Sequence, residues 1–421
     1  MMKVIFTIDT EHCRGGIPYM ISGDLSGLGI KNNYGIQAIM DCFDRFSMHA
    51  VFFVNVYENG TFDSPYEYCI EESLKSINNR GHEIGLHWHT NAINKKEWRA
   101  SNRISSLDEA EQIKMINKGI DFIYKTIDKK PISFRAGSYR INDHTINALA
   151  KCGILYDSSY WYGQPHNIVK EYKTINKNYR IKGVYEFPVI TVFNSSGVEK
   201  KLDFDLLTNS EIVDCLYYLN RKGYNAIQIM FHSFSFLKPA TSQDEIIFTC
   251  GNRNYSGGND AKLKKLEELL AFLSLSPDFD VITFSELNPE SLLTDEAVDG
   301  FIPVNSEKSK NSALIYNQYN RYSYEYGRVV NFWKENSNLF FKNGELVFEI
   351  NQEIEDLPYQ YYVLKGDEVV LKSTLNDKGS IRCKIDSPGD YRVKMFAKIN
   401  GGEISSFSNT VIINDNMEEL V

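Results

Sequence analysis

Short apolar runs alternate with stretches of helical periodicity from the start of the chain to about residue 288. The runs at Lys3 to Ile8, Ala50 to Val56, Glu83 to His87, Ile132 to Arg135, Ile154 to Asp157, Tyr185 to Ile190, Ala226 to His232 and Val281 to Phe284 have strand length. Between them, Ile36, Ile39, Met40, Phe43 and Phe46 recur on one helical face. Ser106 and Glu109 have the spacing of a capping box ahead of Ile113, Ile116 and Ile120. Asn142 and Gly153 supply the start and stop chemistry of a further helix. Strands alternating with helices predict an α/β domain over 1–288, a parallel sheet or distorted (β/α) barrel, with the polar strand ends gathered on one edge.

The pattern changes after Pro289. Polar and acidic residues predict a linker, and Tyr316, Tyr319, Tyr322, Tyr326, Val330 and Trp333 recur at helical spacing, so 289–338 reads as linker and docking helix. That aromatic stripe suits burial on a core better than sugar stacking. From Leu339 the signal is strand alternation broken at Lys342-Asn343-Gly344, Lys365-Gly366-Asp367, Asn376-Asp377-Lys378-Gly379, Pro388-Gly389-Asp390 and Asn400-Gly401-Gly402. This predicts a β-sandwich over 339–416. Its GDYRVKMFAKI segment resembles the penultimate strand of an immunoglobulin-like module, a likeness of fold that carries no function.

A length of 421 residues calls for two domains or three. A net charge of −9 leaves no broad basic face, which excludes duplex nucleic acid as a partner and favours a neutral or weakly charged ligand. No run approaches the roughly 20 apolar residues of a membrane span. Met1-Met2-Lys3 passes into a strand without an apolar leader, so the expected location is cytoplasmic. The seven cysteines lack CxxC spacing and read as reduced thiols. Two Gly-rich stretches stand out. His12 to Asn33 is long and without period, as functional loops are. Gly251 to Asp260 precedes a helix but lacks the Lys-Ser/Thr ending of a phosphate loop, and is a candidate for shaping a groove.

The chemistry starts at Asp9-Thr10-Glu11. Residues two apart on a strand face one side, so Asp9 and Glu11 can enter one site, and His87 and His89 can do the same. Taken alone, strand-end acids often just cap a turn. Carboxylates and imidazoles together are what a zinc-type ion takes, with one position left open for water or substrate. Later strands end in Arg135 followed by Gly137 and Tyr139, in Asp157 with Ser158 and Trp161, and in His232 preceded by Met230.

In this order the segments FTIDTEH, GHEIGLHWHT, SFRAGSYRIN, LYDSSYW and IQIMFHSFSF resemble the five motifs of the polysaccharide deacetylases of the NodB-homology group, over about residues 3 to 288. Amidohydrolases also use a His-x-His pair, but there it closes the first barrel strand, whereas here it closes the third. The resemblance implies a metal-dependent carbohydrate N-deacetylase. It implies that Asp9 is the general base, Glu11, His87 and His89 the metal ligands and His232 the general acid. It further implies that Arg135 fixes the ionised base, that Gly137 and the Tyr139 amide meet the acetate, and that Asp157, Trp161 and Met230 line the groove. The residues themselves leave open which of Asp9 and Glu11 touches the ion. The expected cofactor is a divalent metal, zinc first, with cobalt, manganese, nickel or iron as alternatives. The expected partner is an N-acetylated sugar, a precursor of surface polysaccharide or lipopolysaccharide. His82 reads as a buried structural residue, and His12 and Cys13 as loop residues. Thr10 stands where the family has a second Asp, and Asn91 where it often has a second His. These departures keep a second expectation alive, a catalytically silent barrel that binds glycans.

Overall fold

β1 (Met2–Thr10) is buried along its whole length except at Lys3, and its sequence says why: Val4, Ile5, Phe6 and Ile8 leave no polar face for solvent. The other strands of the N-terminal region are β2 (Val51–Asn55), β3 (Glu83–Trp88), β4 (Ser133–Ala136), β5 (Tyr156–Asp157), β6 (Tyr179–Ile181), β7 (Val184–Glu186), β8 (Thr191–Phe193), β9 (Glu199–Lys201), β10 (Ala226–His232), β11 (Leu237–Pro239), β12 (Phe248–Cys250), β13 (Arg253–Gly258), β14 (Phe279–Val281) and β15 (Ile302–Pro303). The structure is a computed structural model, and it describes residues 1–11, 34–57, 67–89, 104–162, 164, 169, 176–193, 198–250, 253–292, 302–303, 329, 332–350, 359–366, 368–373, 381–399, 402–414 and 419–420. His12 to Asn33, Asn91, Gly251 and most of the residues from 293 to 331 lie outside these.

The main sheet runs β10-β1-β2-β3-β4-β5-β7-β6, with β14 beside β1. Every pairing in it is parallel except β6 with β7. Helices at Ile36–Arg45, Glu67–Asn79, Glu109–Ile127, Asp143–Lys151 and Asn209–Arg221 intervene between strands, as parallel connections require. The ladder is open, with β10 and β6 at its ends. One buried cluster nonetheless joins Ala226 of β10, Ile5, Val51 and Phe53 to Tyr156, Tyr185 and Phe187, so the sheet curls around a shared interior. Smaller sheets, β15-β8-β9 and β11-β13-β12, complete this region.

Several boundaries move for local reasons. The Glu109–Ile127 helix is capped by Asp108 with Glu111, not by Ser106 with Glu109: Asp108 Oδ1 accepts the Glu111 amide and the Glu111 carboxylate accepts the Asp108 amide. Asn142 does cap its helix, accepting from Thr145 N, and Gly153 follows in the left-handed region at φ +79°. The run from Tyr185 to Ile190 divides, because Pro188 has no amide to give the ladder. The last run is strand only at Phe279–Val281 and turns 3-10 at Phe284.

Contacts divide the chain into two compact units. One comprises Met1–Cys42, His49–Leu269 and Pro277–Ile315, the other Phe43–Met48, Leu270–Ser276 and Tyr316–Val421. The second unit contains two antiparallel sheets, β16 (Ser337–Lys342), β17 (Glu345–Ile350) and β20 (Ile381–Lys384) in one. The other holds β18 (Tyr359–Lys365), β19 (Glu368–Lys372), β21 (Gly389–Ile399), β22 (Gly402–Phe407), β23 (Val411–Ile413) and β24 (Glu419–Leu420). Both sheets feed one core, in which Leu339, Leu346 and Phe348 meet Tyr361, Val393, Val411 and the helical residues Val329 and Trp333. At Asn343-Gly344 both central residues have positive φ, 54° and 80°, and the β16–β17 hairpin closes from Lys342 to Glu345.

Candidate metal centre and active site

Strand alternation assembles the site. β1 and β10 pair in parallel with Asp9 opposite His232 and Thr7 opposite Met230. On the neighbouring strands His87 of β3 lies opposite Arg135 of β4. The polar residues at these positions therefore converge, although the chain separates them widely.

Glu11 is at the centre. Its Oε2 lies 2.9 Å from His89 Nε2 and 3.9 Å from His87 Nε2, while Oε1 lies 3.9 Å from His232 Nε2. One ligand atom from each of Glu11, His87 and His89 falls within 4.8 Å of the others. The His87 ring is buried, its Nδ1 bonded to the Arg135 carbonyl at 2.8 Å, and its Nε2 has no hydrogen-bond partner among the described residues. Burial, the largest influence on this imidazole, holds its pKa down to about 4. A neutral, oriented ring with a bare nitrogen aimed at a carboxylate is the donor chemistry a divalent ion takes. The residues fit such an ion. Gly137 is part of the fit, because a Cβ there would sit 2.4 Å from His89 Nδ1.

Asp9 is held differently. It is buried, which by itself would raise its pKa, but the Arg135 guanidinium at 2.5 Å, with His87 and His232 behind it, takes the carboxyl below its usual range. Burial likewise opposes ionisation at Glu11, and the imidazoles of His89, His87 and His232 outweigh it. Arg135 is fully buried. It donates to Asp9 Oδ1, to Thr7 Oγ1 at 2.8 Å, to Ser158 Oγ at 2.9 Å and to Gln228 Oε1 at 2.5 Å, and it covers the Phe53 ring at 4.5 Å. Asp9 thus belongs to an arginine network, and Glu11 to the imidazoles.

The other candidates take varied places. Ser138 and Tyr139 both have left-handed backbone, φ 56° and 54°. Tyr139 forms a small buried cluster with Val189 and Met230, with Trp161 packed on it. Its hydroxyl donates to Met230 Sδ at 3.4 Å, and Gln164 Nε2 donates to its carbonyl. Asp157 is buried one strand away and accepts from Ser159 Oγ at 2.5 Å, which in turn accepts the Ala136 amide. These two bonds tie the end of β4 to the segment after β5. His232 is partly exposed and stacks on Phe234 with ring centres 4.8 Å apart. Thr10 is buried and its hydroxyl donates to the Ile8 carbonyl, so it takes no place among the imidazoles. His82 is a packing residue, accepting the Ala50 amide at Nδ1 and edging the Phe52 ring.

Sequence reading missed Thr7, Gln228 and Lys201. Thr7 and Gln228 had a signal: Thr7 and Asp9 alternate on β1 with Glu11 just past its end, as Gln228, Met230 and His232 alternate on β10, and polar residues inside apolar strands need partners. Lys201 had none, since its place depends on the inserted β8–β9 hairpin. Its Nζ lies 3.4 Å from the Tyr139 hydroxyl and 4.5 Å from that ring's centre.

Residues 30–156, which carry His87, His89, Arg135 and Tyr139, match the family model described as polysaccharide deacetylase. No curated protein matches the chain. Among solved structures it is similar to a Mycobacterium smegmatis protein assigned as a polysaccharide deacetylase, at 20% identity over 69% of this chain and 90% of that one, with a TM-score of 0.42. It is also similar to the peptidoglycan deacetylase PdaC of Bacillus subtilis, at 14% identity over 78% and 96%, TM-score 0.33. A third is a CE4-family pseudoenzyme of Bacillus anthracis, at 12% identity over 55% and 56%, TM-score 0.29. The segment similar to the polysaccharide deacetylase family thus holds β3 and β4, two of the strands that bear the site.

Proposed function

We propose that the chain is a divalent-metal-dependent hydrolase that removes an N-acetyl group from a carbohydrate precursor of surface polysaccharide or lipopolysaccharide in the cytoplasm. The observation that carries this is the convergence of Glu11, His87 and His89 beside a separate, arginine-held Asp9. Glu11, His87 and His89 would hold the ion, zinc being the first candidate and cobalt, manganese, nickel or iron the others. When bound, such an ion supplies Lewis-acid chemistry, polarising a carbonyl and making water acidic near neutral pH.

The chain's own groups do the rest. Asp9, kept ionised by Arg135, takes the proton of the attacking water at its free oxygen while Oδ1 stays on the guanidinium. Tyr139, Val189, Met230 and Trp161 offer the apolar surface an acetyl methyl needs. His232, which approaches Glu11 Oε1 while His89 approaches Oε2, gives its proton to the leaving amine nitrogen.

Acetate release from N-acetylated oligosaccharides tests the reading. Release should stop on chelation and return with zinc or cobalt. His232→Ala should lower turnover by roughly 10²- to 10⁴-fold with metal content unchanged. Metal-loaded protein that frees no acetate from any N-acetylated sugar would refute it. Thr10 favours a second reading, since the family's aspartate is replaced there by a buried hydroxyl turned onto its own strand. A silent glycan-binding barrel would bind sugars regardless of chelator and in a His87→Ala, His89→Ala protein.

A further inference from the structure

Lys201 ends β9, outside every segment that matches the family's motifs, yet its ammonium reaches the site. It hangs over the Tyr139 ring and donates to the Tyr139 hydroxyl, which itself touches Met230 Sδ. The segment that follows runs along β10: Met230 N donates to the Leu202 carbonyl at 3.3 Å and Phe204 N to the Met230 carbonyl at 2.9 Å. The ammonium is thereby fixed at the edge of the cluster of Tyr139, Val189, Met230 and Trp161.

Among the described residues Lys201 forms no ion pair, although carboxylates surround it. Asp9 is taken by Arg135. Asp205 is taken by Lys262 at 2.8 Å and by Ser235 Oγ at 2.6 Å. Asp203 accepts the Asp205 amide at 2.8 Å, and burial, followed by Asp205, pushes its carboxyl above the usual range. Burial also draws the Lys201 ammonium below the usual lysine range, against the pull of Asp203 and Asp9. Asp203 and Asp9 act on the Lys201 ammonium only from beyond ion-pair distance, and a half-buried cation without a close carboxylate partner is costly unless a ligand neutralises it.

Resting on the function proposed above, we infer that Lys201 recognises a negatively charged substituent, a carboxylate or a phosphate, on the carbohydrate, so that this domain takes acidic rather than neutral glycans. The local charge thus selects against the neutral ligand that the net charge of the chain favours.

Calorimetric titration of the full chain decides it, with two matched pairs of probes. Chitotetraose is set against a hyaluronan tetrasaccharide for the carboxylate, and N-acetylglucosamine against its 1-phosphate for the phosphate. The wild type should bind the acidic member of at least one pair about tenfold or more tightly, the contribution of one charge-assisted hydrogen bond. The pair that shows it identifies the anion. The preference should shrink with added salt, vanish in Lys201→Met and Lys201→Gln, and persist in Lys201→Arg. A wild type that binds neither acidic probe, or binds both members of each pair alike, overturns the inference, as does a preference that survives in the Met or Gln variant. If neither variant folds, the wild-type preference and its salt dependence decide alone. Acetate release is scored separately, so an inactive protein that still prefers acidic glycans refutes the deacetylase reading and keeps this one.

Discussion

The Arg135 guanidinium meets acceptors on β1, on β10 and in the segment after β5, all away from water. Removing it leaves Asp9 as an unpaired buried carboxylate. Arg135→Met should therefore destabilise the protein by about 3–5 kcal/mol in denaturant unfolding. Asp9→Asn with Arg135→Met should cost less than the sum of the two single changes, because each single change strands the other's charge. Gly137 makes a different prediction. Its missing Cβ is the space that the His89 ring occupies. Gly137→Ala should weaken zinc binding by roughly 10- to 100-fold in equilibrium dialysis, the scale seen when a ligand's support is lost, while the melting temperature changes little.

At the scale of elements, β3 is tied at its start as well as at its end. Glu83 Oε2 accepts the Ser285 amide at 2.7 Å, which pins the 3-10 turn at Phe284–Glu286 beside β3. Burial, against the help of Ser285 and Thr283, raises the Glu83 carboxyl above its usual range. A carboxyl whose folded pKa exceeds its unfolded one contributes stability that is complete below the unfolded value, about 4.5, and is lost as pH rises through the folded one. Glu83→Gln keeps an acceptor for Ser285 and has no charge to bury. Its melting temperature should match the wild type's in acid and exceed it at neutral pH. Equal offsets at both pH values would sink this account. The strands themselves were readable because each run is apolar and short, and β10 was located to the residue. What failed were features that no local pattern encodes. Pro188 interrupts a run whose residues otherwise suit a strand, and Ser106 is taken up in the 3-10 turn Ile104–Ser106, so the equally spaced Asp108 and Glu111 cap the helix instead. The positive φ of Ser138 and Tyr139 follows from packing of the turn after β4, and Lys201 is placed by a hairpin with weak periodicity.

For the whole molecule, the site unites strand ends that the chain keeps far apart, and their convergence could be argued only from the order of motifs. A ligand that binds the folded state alone stabilises by RT ln(1 + [L]/Kd), about 2.7 kcal/mol at a hundredfold excess over Kd. Zinc should accordingly raise the unfolding temperature of the wild type and leave that of the His87→Ala, His89→Ala protein unmoved in scanning calorimetry. An equal rise in both would place the ion elsewhere.

The parallel pairing of Lys3–Asp9 with Ala226–His232 has a consequence for synthesis on the ribosome. β1 must wait for this partner until more than 200 further residues are made, and loop closure of that span is slow. Nascent chains halted before Ala226 would present an unprotected edge of β1 to other polypeptides, and aggregation or chaperone capture should be concentrated in that interval.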